Sequence, residues 1–385
     1  MRPELLKKTY SLKNELSQLA FSLNEEIKRE EVLSKWKDYT PAPVSKFAVA
    51  ADGSFNKKHY LGFYLYSVSG YAVGLKNGST PAEEVTGDIN LSVIKKTELI
   101  DQYLRMLMFL CEMKALIKLA EREKPEVLLI DGTLSSRFIT VFPKTDWFCS
   151  EEFEGKIASI AGEFIPAVKD MLLEEDIAAF SKEIKEKVTA KLFKEFGEKG
   201  LRRDIVEATL SKLAYFEYLL LLHKLFYGLE FKPVVIGVAK TSHSTDIFKK
   251  SIPDIRVLHQ FVKDNGYTLP QTYVNLDEIK WEFSQIFEYI EENIAYQLRD
   301  VSIRYFYGKY DRGRTISLIE YYENPDLEGI TPEYVLDILS HFSVSGYPFP
   351  LRKADYEVRI TRKDMEMIEN LLGLQNEIHG REGLE

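Results

Sequence analysis

The sequence predicts an α/β fold in which a mixed sheet is flanked by helices and carries a large helical insertion. Short apolar runs of the kind that form strands buried on both faces recur along the chain. Each run stops at a charged residue: Phe47–Ala51 before Asp52, Val127–Ile130 before Asp131, and Pro233–Ala239 before Lys240. A long helical pattern, from about Lys96 to Glu123, separates the first two runs, and residues 150–230 hold helical patterns with few strand signals.

The order of these elements divides the chain into an N-terminal arm and one main domain. Residues 1–40 form the arm, because a helical pattern runs to about residue 38 and ends before a Pro-Ala-Pro break at 41–43. Such an arm suits packing or dimerisation. Residues 41–385 form the domain, with the insertion at about 150–230. Its first part is predicted as an antiparallel meander followed by a polar loop: strands Phe47–Ala51, Tyr60–Ser67 and Tyr71–Lys76, a turn at Ser69-Gly70, and a loop over Gly78–Asn90.

Composition limits the class of protein. A chain of 385 residues with 45% hydrophobic content can bury a large core, and its net charge of −9 argues against a surface coated uniformly for nucleic acid. A local basic groove stays open. Cys111 and Cys149 are too few for a disulfide framework or a zinc cluster. We expect both cysteines to be reduced, as in an intracellular protein. Without a signal-peptide pattern or an uninterrupted apolar helix, we expect a cytoplasmic protein with no membrane contact.

Two aspartates occupy equivalent positions at the ends of predicted strands. Asp52 is followed by Gly53-Ser54, and Asp131 by Gly132-Thr133. The carboxyl ends of strands are where open α/β sheets bind ligands, and glycine lets the backbone turn close to them. A single Asp-Gly is more often a helix N-cap or an Asx-turn. Its repetition on two strands favours a binding site.

A glutamate lies in the most apolar part of the long helix. Glu112 follows Leu107-Met108-Phe109-Leu110-Cys111, and an ionised carboxylate buried there costs several kcal/mol unless a cation accompanies it. That cation is either a metal ion or an arginine such as Arg105 or Arg137. Glu98 lies on the same polar stripe of the helix and is the alternative candidate ligand.

A late rigid segment adds a fourth carboxylate. Residues 345–351, Ser-Gly-Tyr-Pro-Phe-Pro-Leu, precede Asp355. Oxygen ligands from Asp52, Glu112, Asp131 and Asp355 favour Mn²⁺ or Mg²⁺ over zinc, and six scattered histidines support the same choice. Divalent ions held by carboxylates can activate water and stabilise the leaving oxygen in phosphodiester cleavage, which indicates a nuclease. The chain contains neither a P-loop nor a Gly-x-Ser-x-Gly elbow.

Basic and aromatic residues supply candidate nucleic-acid contacts. Lys240 can pair with a phosphate or with one of the carboxylates. Lys182–Arg203 holds eight Lys or Arg against four Asp or Glu, which fits either a phosphate path or a solvated helix face. Val301–Tyr322 is predicted as a hairpin turning at residues 311–313. Its aromatics can stack on single strands, although aromatic residues are also ordinary strand formers.

Five motifs, in order, resemble those of the NurA nucleases over about residues 45–360. They are Ala50-Ala51-Asp52-Gly53-Ser54, the helical Glu112, Leu129-Ile130-Asp131-Gly132-Thr133-Leu134, Gly237-Val238-Ala239-Lys240-Thr241-Ser242 and Gly346-Tyr347-Pro348-Phe349-Pro350-Leu351. The resemblance implies a ribonuclease-H-like fold with a helical insertion. It also implies manganese-dependent 5′ to 3′ exonuclease action on single- and double-stranded DNA and endonuclease action on single strands. Family members often carry Ala-His where this chain has Ala354-Asp355.

The same resemblance implies partners and a cellular role. NurA proteins form homodimeric rings that dock on the hexameric helicase-translocase HerA and resect broken DNA ends, mostly in thermophilic archaea. On this basis Asp52, Glu112, Asp131 and Asp355 are expected to bind the metal, with Lys240 beside the phosphate. Two alternatives keep the fold but change the function: a catalytically silent adaptor of a DNA translocase, and a ribonuclease acting on RNA or hybrids.

Overall fold

The computed structural model describes residues 2–22, 27–75, 81–272, 289–313 and 315–378. Within them the chain builds one ten-stranded mixed sheet and a separate two-stranded pair. The strands are β1 (Trp36–Asp38), β2 (Ala48–Tyr60), β3 (Phe63–Leu75), β4 (Ala82–Ser92), β5 (Val127–Asp131), β6 (Val234–Ala239), β7 (Gly266–Thr268), β8 (Gln271–Thr272), β9 (Ile303–Lys309), β10 (Ser317–Tyr322), β11 (Ser343–Val344) and β12 (Tyr347–Pro348).

Helices precede, interrupt and follow these strands. The described α-helices are α1 (Pro3–Ser22), α2 (Arg29–Ser34), α3 (Ile100–Glu123), α4 (Ser135–Phe138), α5 (Glu154–Glu163), α6 (Ile165–Asp170), α7 (Lys182–Gly200), α8 (Arg203–His223), α9 (Asp254–Phe261), α10 (Glu292–Arg299), α11 (Pro332–Phe342), α12 (Phe349–Val358) and α13 (Arg362–Leu372). None of the helices in the described ranges is long and apolar enough to cross a lipid bilayer.

The central strands of the sheet are parallel and its flanks are antiparallel. The order is β1-β7-β9-β10-β6-β5-β2-β3-β4, with β8 paired to β9. β2, β5 and β6 run in the same direction, whereas β3 and β4 on one side and β10 and β9 on the other pair antiparallel. The predicted mixed sheet flanked by helices is therefore confirmed. Its parallel strands bring the ends of β5 and β6 to one side of the sheet, level with Asp52 of β2. The predicted end of the first strand at Ala51 is wrong, because β2 continues through Asp52 to Tyr60 in its pairing with β3.

Side-chain alternation assigns the two faces of the sheet. On β2 and β5, one set of side chains packs in the core that contains α3 and α8: Val49, Ala51, Leu128 and Ile130. The intervening set packs in the core that contains α11 and the start of α12: Ala48, Ala50, Val127 and Leu129. Because successive strand residues point to opposite faces, Asp52 and Asp131 continue the second set. Both aspartates therefore face the side of the sheet that carries α12.

The meander and the loop after it differ from the prediction. β3 continues through Ser69-Gly70, and the turn lies at Leu61-Gly62, where Gly62 has a φ of 99°. β4 covers most of the predicted polar loop, and residues 76–80 lie outside the described part of the chain. The loop prediction failed because β4 is an edge strand with partly exposed polar side chains, so its composition is that of a loop.

The N-terminal prediction is right for the helices and wrong at their end. α1 and α2 fall within the predicted helical segment, but Trp36–Asp38 is β1, which pairs antiparallel with β7. Trp36 is buried there. Pairing with a strand more than 200 residues away overrides the local helical pattern, as tertiary contacts commonly do.

The later elements follow the sequence prediction closely. β9 and β10 form the predicted antiparallel hairpin, although Arg314 lies outside the described residues. The Thr331 side chain caps α11, and Thr361 caps α13 in a capping box. Helices α5 to α8 occupy the predicted insertion, and their apolar residues share one core with α3 and the sheet. The division into arm, domain and insertion stays a prediction.

α3 lies unusually close to the sheet at Gly70. A Cβ on Gly70 would lie 2.2 Å from the carbonyl carbon of Cys111 and 2.4 Å from the amide nitrogen of Glu112. We therefore expect Gly70→Ala to push α3 away from the sheet and to lower the free energy of unfolding by about 1–3 kcal/mol, measured in urea. Gly155→Ala is the control, since a Cβ on Gly155 meets nothing within 4 Å. An equal effect of both changes would contradict the prediction.

Candidate metal centre

Three of the four predicted carboxylates come together beside the carboxyl end of the central strand β5. Asp52 lies on β2, Asp131 ends β5, and Asp355 lies on α12. One carboxylate oxygen from each residue lies within 4.8 Å of the others, and all three side chains are partly buried. The parallel pairing of β2 with β5 places the first two side by side, and α12 covers the same face. Acids separated by up to 303 positions in sequence therefore share one small volume.

The crowding has a direct electrostatic consequence for Asp52. Burial, with a smaller contribution from the neighbouring charge of Asp131, raises the pKa of its carboxyl to about 7. A hydrogen bond of 2.7 Å from the backbone N–H of Gly53 opposes this shift. A carboxyl group that is difficult to ionise beside other carboxylates is typical of a site that receives a cation.

Asp131 is held by two side chains from other segments. The Tyr347 hydroxyl donates a hydrogen bond of 2.7 Å to Oδ1 of Asp131 and lies 3.2 Å from the carbonyl oxygen of Val238. Lys240 Nζ lies 3.5 Å from Oδ2 and 4.2 Å from the centre of the Tyr347 ring. The Lys240 side chain is 48% exposed, so its charge is available to a ligand as well as to Asp131. Of the two partners that the sequence allows for Lys240, the structure shows a carboxylate, and the role of Lys240 beside the phosphate stays a prediction.

Asp355 is paired within its own segment of chain. Arg359 Nη2 lies 2.5 Å from Oδ2 of Asp355, four residues earlier. The arginine is 63% exposed, and the aspartate 32%. An exposed pair of this kind contributes little to stability, so the guanidinium can leave when a stronger cation arrives.

Glu112 approaches the site from α3, on the opposite face of the sheet. Its carboxylate is 1% exposed, and Oε1 accepts a hydrogen bond of 2.8 Å from Arg137 Nη2. Burial raises the pKa of Glu112 to about 8; Arg137 opposes the shift, and the charges of Asp52 and Asp131 add to it. The arginine pairing that the sequence left open is therefore present, and the role of Glu112 as a metal ligand stays a prediction. Glu98 is exposed in a 3₁₀ turn before α3.

The basic stretch 182–203 and the aromatic residues of the hairpin make contacts within the protein itself. On and beside α7, basic residues pair with acids: Lys182 with Glu186, Lys187 with Glu183, Lys191 with Glu163, and Arg202 with Asp204. The hairpin aromatics are buried: Tyr305, Phe306, Tyr307 and Tyr310. These contacts favour a solvated helix face for α7 and ordinary core packing for the hairpin.

Two side chains that contact the acids have no role assigned from the sequence, Tyr347 and Arg359. Arg137, the third such side chain, is the partner that the sequence allows for Glu112. Arg359 was absent, although a base four residues after an acid on a helix is a readable signal. No comparable signal exists for Tyr347, because its contact with Asp131 depends on how α12 enters the fold.

The donor chemistry fits a hard divalent cation. The three clustered ligands offer only carboxylate oxygens, which suit Mn²⁺ and Mg²⁺ better than softer metals. Both predicted free cysteines, Cys111 and Cys149, are unpaired and buried, and the site lacks them.

Comparison with known proteins identifies the family. The model of the NurA domain matches residues 48–360 of this chain. The chain belongs to the NurA family. A probable DNA double-strand break repair nuclease NurA from Methanocaldococcus jannaschii is 27% identical over 364 residues, covering 92% of this chain and 85% of the relative.

Solved NurA structures share the fold. A structure of NurA with manganese superposes with a TM-score of 0.64 at 19% identity, covering 97% of this chain and 99% of that one. A structure of NurA bound to dAMP and manganese gives a TM-score of 0.59 at 18% identity, covering 97% of both chains. The NurA fold therefore extends over nearly the whole chain, including the segments that carry the acid cluster.

The raised pKa of Asp52 predicts a pH effect on the metal-free protein. In the unfolded chain this carboxyl ionises near its ordinary value of 3.8, whereas the folded protein holds the proton up to about 7. Between these values the folded state binds more protons, so stability falls as pH rises. In EDTA we expect Asp52→Asn to raise the melting temperature by roughly 2 °C or more at pH 8 and much less at pH 4. Parallel curves of melting temperature against pH for the two proteins would contradict the assignment.

Proposed function

We propose that this NurA protein is a DNA nuclease that depends on Mn²⁺, with Mg²⁺ as an alternative ion. The observation that carries the proposal is the clustering of Asp52, Asp131 and Asp355, whose ligand oxygens lie within 4.8 Å of one another. The names of relatives in the family, as DNA double-strand break repair nucleases, support DNA as the substrate. Manganese in a family structure supports the choice of ion.

Each side chain has a proposed part in binding or reaction. Asp52, Asp131 and Asp355 hold the ion, with Glu112 as a fourth ligand from the opposite face. A bound divalent ion supplies Lewis-acid chemistry, because it polarises the phosphodiester and lowers the pKa of water. Tyr347 orients the Asp131 carboxylate through its hydrogen bond to Oδ1.

Lys240 has a separate part, because its charge is close to the acids without being buried among them. Its ammonium group lies beside Asp131 and is half exposed. We assign it to the phosphate, whose negative charge grows as the phosphodiester is cleaved. With a divalent ion bound to Asp131, the Lys240 ammonium would be free to make this contact.

The finer functional assignments rest on family membership. We propose 5′ to 3′ exonuclease action on single- and double-stranded DNA, endonuclease action on single strands, and a role in end resection during homologous recombination. We also propose a homodimer that works with the HerA hexamer. A ribonuclease-H-like assignment of the fold is supported by the antiparallel β2-β3-β4 unit joined to parallel β5 and β6, with Asp131 at the end of β5 and Asp52 on the neighbouring β2.

The test uses oligonucleotides labelled separately at the 5′ and 3′ ends. We expect Mn²⁺ to support cleavage of single- and double-stranded DNA, EDTA to abolish it, and release of the 5′ label first from long duplexes. Faster cleavage of RNA or hybrids would favour the ribonuclease reading. Binding of DNA without metal-dependent loss of any labelled strand would overturn the proposal and favour a silent adaptor.

A further inference from the structure

One buried arginine joins two elements that bring acids to the site. Arg137 lies on α4, six residues after Asp131, and is 3% exposed. Its Nη2 donates to Oε1 of Glu112 at 2.8 Å and to the backbone carbonyl oxygen of Asp131 at 2.9 Å. A single nitrogen therefore connects α3 with the carboxyl end of β5.

The position of Arg137 is fixed from both ends of the residue. Its guanidinium carbon lies 3.9 Å from the centre of the Phe109 ring, so the charged plane rests on an aromatic face. Its carbonyl oxygen accepts a hydrogen bond of 2.7 Å from the Tyr218 hydroxyl on α8. At the start of α4, the backbone N–H and hydroxyl of Ser135 both donate to Glu320 on β10. These contacts leave the guanidinium little freedom to move.

Stability alone is a poor reason for this arrangement. Nε and Nη1 of Arg137 are buried and have no hydrogen-bond partner among the described residues. Unsatisfied buried donors are costly, and a buried ion pair is weak evidence for stabilisation. A better explanation for this costly guanidinium is that it holds the two acceptors of Nη2, Oε1 of Glu112 and the carbonyl oxygen of Asp131, in place.

The geometry points to Arg137 as a positioning residue for the metal ligands, an inference that rests on the proposed function. Arg137 takes Oε1 of Glu112, which leaves Oε2 for the cation. It also ties the carbonyl of Asp131 to the same nitrogen, so that the carboxylates of Glu112 and Asp131 keep one relative arrangement. Arg137 itself touches neither the ion nor the DNA. Its effect on metal binding passes through Glu112.

The test measures Mn²⁺ affinity by calorimetry in six proteins: wild type, Arg137→Gln, Glu112→Gln, the double variant of these two, Arg137→Lys and the control Arg122→Gln. We expect Arg137→Gln to weaken Mn²⁺ binding by about 10- to 100-fold, as loss of a partner of a metal ligand usually does. Arg137→Lys keeps the positive charge but loses the forked guanidinium group. Its Mn²⁺ affinity should therefore lie between those of wild type and Arg137→Gln. Arg122→Gln, at an exposed arginine of α3 paired with Glu84, should leave affinity unchanged.

The double variant separates positioning from a general structural role. If Arg137 acts through Glu112, then adding Arg137→Gln to Glu112→Gln should change Mn²⁺ affinity by less than about twofold. Wild-type affinity in Arg137→Gln, or a further tenfold loss in the double variant, would overturn the inference.

Folding and function are controlled separately. If Arg137→Gln does not fold, the inference is tested with Arg137→Lys and with the double variant, which changes no net charge. Wild-type Mn²⁺ affinity in Arg137→Lys would then refute the positioning role of Arg137. Absence of Mn²⁺-dependent cleavage by the wild-type protein would instead remove the proposed function. The affinity comparison is therefore made on a protein that has first been shown to cleave DNA.

Discussion

Asp131→Asn is expected to lower Mn²⁺-dependent cleavage of DNA by on the order of 10³-fold or more, because the change removes a charged ligand from the ion. The fold should persist, since an amide matches the carboxylate in shape and can still accept the hydrogen bond from Tyr347. DNA binding should also persist. The measurements are single-turnover cleavage of a labelled oligonucleotide and its binding in Ca²⁺.

Three further variants calibrate this loss. Asp101→Asn is the matched control, because Asp101 is an exposed aspartate of α3 paired with Lys57. It should cleave at the wild-type rate. At Asp355, replacement by histidine keeps a metal-binding group, so we expect Asp355→His to retain much more activity than Asp355→Ala. Cleavage by Asp131→Asn within tenfold of wild type would remove this residue from the site.

Lys114→Met should lower the free energy of unfolding by about 3–5 kcal/mol, the cost of leaving a buried charge without its partner. Lys114 and Glu217 are both 0% exposed and form an ion pair between α3 and α8. Glu217 also accepts hydrogen bonds from the backbone N–H groups of Ala178 and Ala179. Lys114 donates to the carbonyl oxygen of Glu175. The pair therefore joins two helices and the loop before α7.

A second lysine of α3, Lys118, provides the control for this prediction. Lys118 is 18% exposed and lies 4.0 Å from Glu84, so Lys118→Met should cost less than about 1 kcal/mol. Replacing both members of the buried pair, as Lys114→Met with Glu217→Leu, should recover part of the loss. A loss below about 1 kcal/mol for Lys114→Met would show that the pair contributes little.

The central apolar runs and the acids that follow them could be predicted because local pattern and tertiary role agree. The apolar runs before Asp52, Asp131 and Lys240 are buried on both faces of the sheet. Every residue in them is therefore apolar, which makes these strands recognisable in the sequence. Parallel pairing then brings the residues after these runs together, although β2 itself continues past Asp52 to Tyr60.

The remaining features depend on contacts that no local pattern encodes. β1 is a strand because β7 pairs with it, and β4 is a strand because β3 offers an edge. Lys114 lies on α3, but its partner Glu217 lies 103 positions further along the chain. The same is true of Tyr347, whose hydroxyl reaches Asp131 only after α12 has folded onto the sheet.

The Asp355–Arg359 pair has an evolutionary consequence. Histidine at position 355 would be neutral at physiological pH, whereas aspartate adds a third acid to a cluster that already holds two. Arg359, one helical turn later, cancels that charge until the cation binds. The two positions should therefore covary among NurA proteins, with a base at the second wherever an acid stands at the first.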